Sequence, residues 1–247
     1  MKAKRFFLSV AICFLALALV PGLALAGMWV GLQGGANWTA DTDVHIQGPG
    51  WSPDTYKDVV REVAALGGII IGYDFVKEGF LGYNYPEWMK YFSFCTDFTY
   101  NRAESPSQFV TEIYDGDEAT KRFINLEMSL ACWSFLFKAR YGFLPDSEVP
   151  FGRLQPYLMV GPGILFSSVR GGAWTPTGYP FHGSSVDIAL VTEAGIRWMA
   201  LKNVSLDAGF RYRFAQPKYS VSAGGYNVDV KTDLHLFTAM FRVSYHF

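Results

Sequence analysis

Cysteine is scarce in this 247-residue chain: there are three, and only Cys95 and Cys132 lie beyond residue 26. That is too few for a disulfide scaffold. Beyond residue 26 the sequence has no run of about 18 apolar residues, which excludes a membrane-crossing helix there. Charge of one sign is missing as well. The 21 Lys and Arg nearly cancel the 22 Asp and Glu, and no basic block interrupts the chain, so nucleic acid is not expected as a partner. The four histidines, His45, His182, His235 and His246, are scattered without ligand spacing, and neither a metal nor a cofactor is expected.

What the chain has in excess is aromatic residues, 17% of the total. It also has an export signal. Lys2, Lys4 and Arg5 precede an apolar stretch at 6–20, Pro21 and Gly22 break it, and Ala24-Leu25-Ala26 forms an A-x-A cleavage site. Residues 1–26 are therefore expected to be a removed signal peptide, and 27–247 a single domain. Cys13 lies inside the apolar stretch and no Cys follows the cleavage site, so a lipoprotein is not expected.

An exported, half-apolar chain without a spanning helix must place its aromatics in short segments. The sequence supplies eight of them, near 28–38, 66–77, 89–101, 121–143, 155–169, 184–201, 204–216 and 232–247. In the last, Phe237, Ala239, Phe241, Val243, Tyr245 and Phe247 alternate with Thr238, Met240, Arg242, Ser244 and His246, the period of a strand with two unlike faces. Lys202-Asn203 between segments six and seven suits a tight hairpin. Segment five is apolar in both phases and contains Pro162, which leaves its facing open. In segment four the apolar phase changes between Leu130 and Phe135, as a bulge near 132–134 or a break into two strands would produce. Outer loops are expected near 39–65, 102–120, 170–183 and 217–231; within the first, 52–66 is either an ordinary ordered loop or a short helix started by Ser52-Pro53. Cys95 and Cys132 fall on consecutive segments, where either a cross-strand bridge or two free thiols is consistent with the spacing.

Charge placement selects the environment of the aromatic face. A Lys or Arg facing lipid at mid-bilayer costs roughly 2–4 kcal/mol. Asp74, Asp97, Asp187, Glu193, Arg197, Asp207, Arg211, Arg213 and Arg242 all fall in the phase opposite the aromatic residues. The expectation is an all-β protein, an eight-stranded antiparallel up-and-down transmembrane barrel with its aromatic face in lipid. A soluble lipocalin-like barrel is the alternative, with its aromatic face turned inward around a ligand.

With the signal at 1–26, the glycine-rich GMWVGLQGG at 27–35, PYLMVGPG at 156–163 and the terminal VSYHF at 243–247, the chain resembles the small eight-stranded outer-membrane barrels of the OmpA-like transmembrane type. The resemblance implies a Gram-negative outer-membrane location. It also implies contact with outer-membrane lipids and lipopolysaccharide, insertion by the barrel assembly machinery, and a monomeric state. Val243, Tyr245 and Phe247 resemble the terminal signal read by that machinery. The chain ends with the last strand, so the cell-wall tethering of longer relatives is not expected to carry over.

Eight strands enclose an interior about wide enough for side chains to fill it. Asp74, Asp97, Glu193, Arg197, Asp207, Arg211, Arg213 and Arg242 are then expected to pair across the lumen, because an unpaired buried charge is costly. The function implied is a structural or surface-interaction role, with no catalytic residues. A narrow porin-like channel is the first alternative, since charges within a membrane often mark ion paths. A lipid A-modifying enzyme is the second. His182-Gly183-Ser184 resembles the His-x-Ser element of barrel deacylases, with Glu193 as the orienting acid that such chemistry requires.

Overall fold

A computed structural model describes residues 27–40, 42–47, 54–59, 62–76, 84–114, 117–172, 180–223 and 226–247. Eight strands form a closed antiparallel ring. In chain order they are β1 (Met28–Thr39), β4 (Ala64–Asp74), β5 (Phe92–Tyr114), β6 (Asp117–Arg140), β7 (Leu154–Gly172), β8 (Pro180–Leu201), β9 (Val204–Ala215) and β12 (Leu234–His246). Each pairs with the next. β12 returns to β1 from Trp29↔His246 to Thr39↔Leu236, and the backbone N–H of Phe247 donates to Met28 O at 3.0 Å. Closure leaves the ring no unpaired edge, the condition a sheet must meet inside hydrocarbon.

Both ends of this ring of strands lie on the side of the connections at 75–91, 141–153 and 202–203. At the opposite end β5 to β8 run on well past the belt of exposed aromatics. Four short strands continue the wall beside them: β2 (Thr42–Gln47), β3 (Asp54–Val59), β10 (Lys218–Ala223) and β11 (Tyr226–Thr232). Their order, β10-β11-β2-β3-β5, makes a second tier of sheet above the ring. The segments expected as outer loops are thus largely strand where they are described. Of the span 52–66, read as an ordered loop or a short helix, residues 54–59 form β3 and 64–66 begin β4, while 52–53 and 60–61 lie outside the described residues. The alternating Asp-Thr-Tyr-Lys pattern of β3 pairs with β2 and β5, so sheet hydrogen bonds outweigh a weak helical preference.

β6 needs no bulge near Cys132. Its pairing with β5 runs without a shift from Phe92↔Ala139 to Ser105↔Leu126, and Met128, Leu130, Cys132, Ser134, Leu136 and Lys138 all point inward and are buried. The apolar phase changes because the interior itself changes character with height. Near the turns it is charged; toward the outer end it is apolar, with Leu130, Leu165, Ala189, Val191, Ala215, Leu234 and Leu236 packed together. In β7, Gln155, Tyr157, Met159, Leu165 and Ser167 face inward, while Leu158, Val160 and Phe166 are exposed. Cys95 and Cys132 are both free and buried; they pair with Leu136 and Thr99 rather than with each other.

The outer wall carries Phe94, Phe98, Tyr100, Trp133, Phe137, Leu158, Ile188, Phe210, Phe241 and Tyr245, all exposed, Ile188 at 81%. A soluble lipocalin-like arrangement would bury this aromatic set. Here it is the outside, and the charges are the inside. Among the described residues no helix is long and apolar enough to cross a membrane.

Candidate functional site

Strand periodicity sends every second side chain into the lumen, and register decides which of them meet. One row of partners runs Gln33, Arg242, Asp207, Arg197, Gln155 around β1, β12, β9, β8 and β7. Arg197 Nε donates to Asp207 Oδ1 at 2.9 Å, and Arg242 Nη1 donates to Asp207 Oδ2 at 3.3 Å. Arg242 also bonds Gln33 Oε1 at 2.9 Å and Glu193 Oε1 at 3.1 Å.

One step toward the outer end, Arg211 bridges two carboxylates. Its Nε donates to Glu193 Oε2 at 2.9 Å and its Nη2 to Asp97 Oδ2 at 2.5 Å. Tyr157 completes Glu193 with a hydroxyl donated to Oε1 at 2.8 Å, and Gln33 Nε2 donates to Asp97 Oδ2 at 3.0 Å. Asp74, near the turns, accepts from Trp29 Nε1 at 3.0 Å and Ser93 Oγ at 2.7 Å. It is paired with Arg140 at 2.9 Å.

The structure therefore brings Asp74, Asp97, Glu193, Arg197, Asp207, Arg211 and Arg242 into one buried layer. Arg213 stands apart: its Nη2 donates to the Thr99 hydroxyl at 3.0 Å, and it has no carboxylate partner among the described residues. Asp187 is half-buried toward the outer end and accepts from Ser185 Oγ. Two cations were missed from sequence, Lys138 and Arg140. The available signal was their shared phase with Ser134, alternating with Phe135 and Phe137.

Charged and aromatic groups share this layer. Arg197 lies over the Trp29 ring at 4.5 Å, and Lys138 Nζ sits 4.0 Å from the Tyr157 centroid. Burial by strands on all sides supplies the low dielectric that makes each pairing strong and each unpaired group costly. Toward the outer end the lumen is filled a second time by the apolar cluster. Above it β10 turns inward, where Tyr219 and Val221 are buried and the Tyr219 hydroxyl donates to Ser167 Oγ at 3.0 Å.

The residues read as a possible deacylase set do not converge. His182 and Ser184 are exposed and belong to the outward phase of β8, whereas Glu193 points inward and is held by Arg211, Arg242 and Tyr157. A carboxylate on the other side of the wall does not orient that histidine.

No protein-family model matches the chain, and no curated protein matches its sequence. Solved structures do match in shape. OprG of Pseudomonas aeruginosa, an outer membrane protein, aligns over 91% of this chain and 98% of its own with a TM-score of 0.52 at 13% identity. Neisserial surface protein A aligns over 90% and 98%, with a TM-score of 0.42 at 15% identity. The fold is that of a small outer-membrane β-barrel. For an outer-membrane barrel, the connections at 75–91, 141–153 and 202–203 correspond to the short periplasmic side. The prolonged strands correspond to the cell surface.

The outer-membrane barrel has a periplasmic turn, 141–153, that is ordered by one carboxylate. Asp146 Oδ1 accepts the backbone N–H groups of Val149 at 2.7 Å and Glu148 at 3.0 Å, and Oδ2 accepts from Arg153 Nε. These bonds, the Val149 N–H first and then the Arg153 guanidinium, hold the Asp146 carboxyl below the usual carboxylate range. Arg153 in turn ties the turn to β8 through Met199 O at 3.1 Å.

Proposed function

We propose that the chain is an integral outer-membrane barrel with a closed lumen, whose role is structural or is carried by the sheet it raises above the bilayer. The observation that carries this reading is the buried ion-paired layer from Arg197 to Arg211, backed toward the cell surface by an apolar core. A path for ions would have to break several charge-assisted bonds and then cross the Leu130, Leu165, Val191 and Leu236 packing. The prolonged hairpin of β5 and β6 and the second tier offer a large, hydrogen-bonded surface outside the membrane.

On the same reading, residues 1–26, which lie outside the described residues, are the export signal. Val243, Tyr245 and Phe247 serve as the assembly signal, the outer wall contacts lipids and lipopolysaccharide, and the barrel works as a monomer. Planar-bilayer recording of the folded protein tests the closure. No channel events above the protein-free bilayer are expected. Discrete, reproducible conductance steps would replace the closed barrel with the narrow-channel reading.

A further inference from the structure

Among the described residues the buried charges of the lumen do not balance. Six cations, Lys138, Arg140, Arg197, Arg211, Arg213 and Arg242, line the lumen with four carboxylates, Asp74, Asp97, Glu193 and Asp207. Arg211 and Arg242 are answered by Asp97 and Glu193. Arg140 and Arg197 are answered by Asp74 and Asp207. Arg213, toward the outer end, and Lys138, toward the turns, are left over. Lys138 is fully buried, and among the described residues its Nζ makes no hydrogen bond; it lies over the faces of Tyr157 and Trp29, at 4.0 and 5.5 Å from their centroids. The charged groups that face it are Arg197, Asp207, Arg242 and Asp74.

Among the described residues, the buried polar side-chain atoms without hydrogen-bond partners divide by height. Toward the outer end they are of both kinds: Asp97 Oδ1 and Asn101 Oδ1 accept, while Asn37 Nδ2, Asn101 Nδ2, Arg211 Nη1 and Arg213 Nε donate. Water satisfies such a mixture, since each molecule gives and takes hydrogen bonds. Toward the turns the set is Lys138 Nζ, Arg140 Nε, Arg197 Nη1 and Ser244 Oγ. Three are cationic donors with no accepting capacity, and the fourth is a hydroxyl. Arg197 Nη1 comes no closer than 3.9 Å to Asp74 Oδ2. One surplus positive charge and three cationic donors beside a single hydroxyl, against the Trp29 and Tyr157 rings, specify the ligand chemistry: compact, singly negative and accepting from several directions.

We propose that the periplasmic half of the lumen holds a small monovalent inorganic anion of the halide class, bound by Lys138 and Arg197 against Trp29. The anion answers the charge of Lys138 and gives Arg197 Nη1 the acceptor it lacks. Trp29 fixes both cations through its ring while its N–H is committed to Asp74. The site uses the layer invoked for lumen closure but does not require it to be non-conducting. Conductance reads the through path, whereas halide binding reads one position along it.

Bromide is the probe, because it scatters anomalously and quenches tryptophan on contact. The full-length protein is refolded in sodium bromide, so that entry through the closed lumen does not decide the result. An anomalous peak touching Lys138 Nζ and Arg197 Nη1 is expected in its crystals. In solution, protein refolded across a bromide series in gluconate should show a saturable component of tryptophan quenching. Trp29→Phe should abolish that component and chloride should compete with it. Lys138→Met, which keeps length and removes the charge, should weaken it about tenfold or more, the scale of one charge-assisted hydrogen bond. Heat-modified gel mobility verifies that each variant has folded. If Lys138→Met fails to fold, the anomalous peak and the saturable quenching of the parent protein still decide the proposal. No peak at that position, or quenching that stays linear in bromide, would overturn the proposal and leave Lys138 neutral or hydrated.

Discussion

Removing the charge of Glu193 while keeping its shape is the sharpest test of the ionic layer. Glu193 accepts from Arg211 Nε at 2.9 Å, Arg242 Nη2 at 3.1 Å and the Tyr157 hydroxyl at 2.8 Å. Glu193→Gln deletes one of four carboxylates and aims a new amide N–H at arginine donors that offer no acceptor. Breaking a buried pair by removing one partner costs about 3–5 kcal/mol. Both arginines keep a second carboxylate, Arg211 with Asp97 at 2.5 Å and Arg242 with Asp207 at 3.3 Å. The expected loss is therefore toward the low end, about 3 kcal/mol, or somewhat more than a hundredfold in the folding equilibrium. Urea titration of protein folded into lipid vesicles, followed by tryptophan emission and heat-modified mobility, measures it. Replacing both members, Glu193→Leu with Arg211→Met, should recover much of the loss, because a buried pair exchanged for apolar packing is often neutral. A Glu193→Gln cost below about 0.5 kcal/mol, within the range of ordinary surface substitutions, would refute the argument that these pairs sit in a low dielectric.

Ala239 faces outward midway along β12, between Phe237 and Phe241, so Ala239→Arg should cost roughly 2–4 kcal/mol in the same vesicle assay; an unchanged midpoint would place that wall outside lipid. The depressed Asp146 carboxyl stabilises its turn above the ordinary aspartate value of about 3.9, and that contribution is lost as pH falls through the lower folded value. Pepsin should accordingly begin to cut 144–153 as the pH drops below about 3.9, while the barrel still shows folded mobility. Asp146→Asn should be cut across the acidic range with no such pH dependence. Deleting Phe247 should reduce the amount recovered in the outer membrane far more than it changes folding into detergent. Equal recovery of the deletion and the parent would remove the assembly role assigned to Val243, Tyr245 and Phe247.

The ring of strands is legible in the sequence because lipid is an unforgiving solvent: Arg197, Arg211, Arg213 and Arg242 had one permitted phase, and the aromatics mark the other. Pairing partners were less legible. That Arg211 meets Asp97, 114 residues away, follows from register and curvature rather than from local pattern. Lys138 and Arg140 are harder to place, because the phase change between Leu130 and Phe135 leaves the facing of segment four open between a bulge and a break. Met128 and Leu130 in fact face the apolar outer half of the lumen, so one phase serves the whole strand. The second tier was hidden for a different reason. Beyond the bilayer neither face of the sheet need be apolar, and Pro106 with the register shift between Ser105 and Gln108 gives β5 the local look of a loop. Asp54–Val59 likewise forms a strand only because β2 and β5 lie ready on either side.

The seam between β1 and β12 has a kinetic meaning. Its side-chain contacts join residues such as Asn37 with Thr238 and Gln33 with Arg242, 201 and 209 positions apart. No seven-strand intermediate can satisfy the outer row of either terminal strand, and nothing local hints at where the ends will meet. The slowest and most exposed moment in the life of this protein is therefore its last pairing, when an almost complete sheet has two open borders and a half-formed charged interior. A chain built this way has more need of a partner that holds those borders apart from other chains than of one that teaches it a shape.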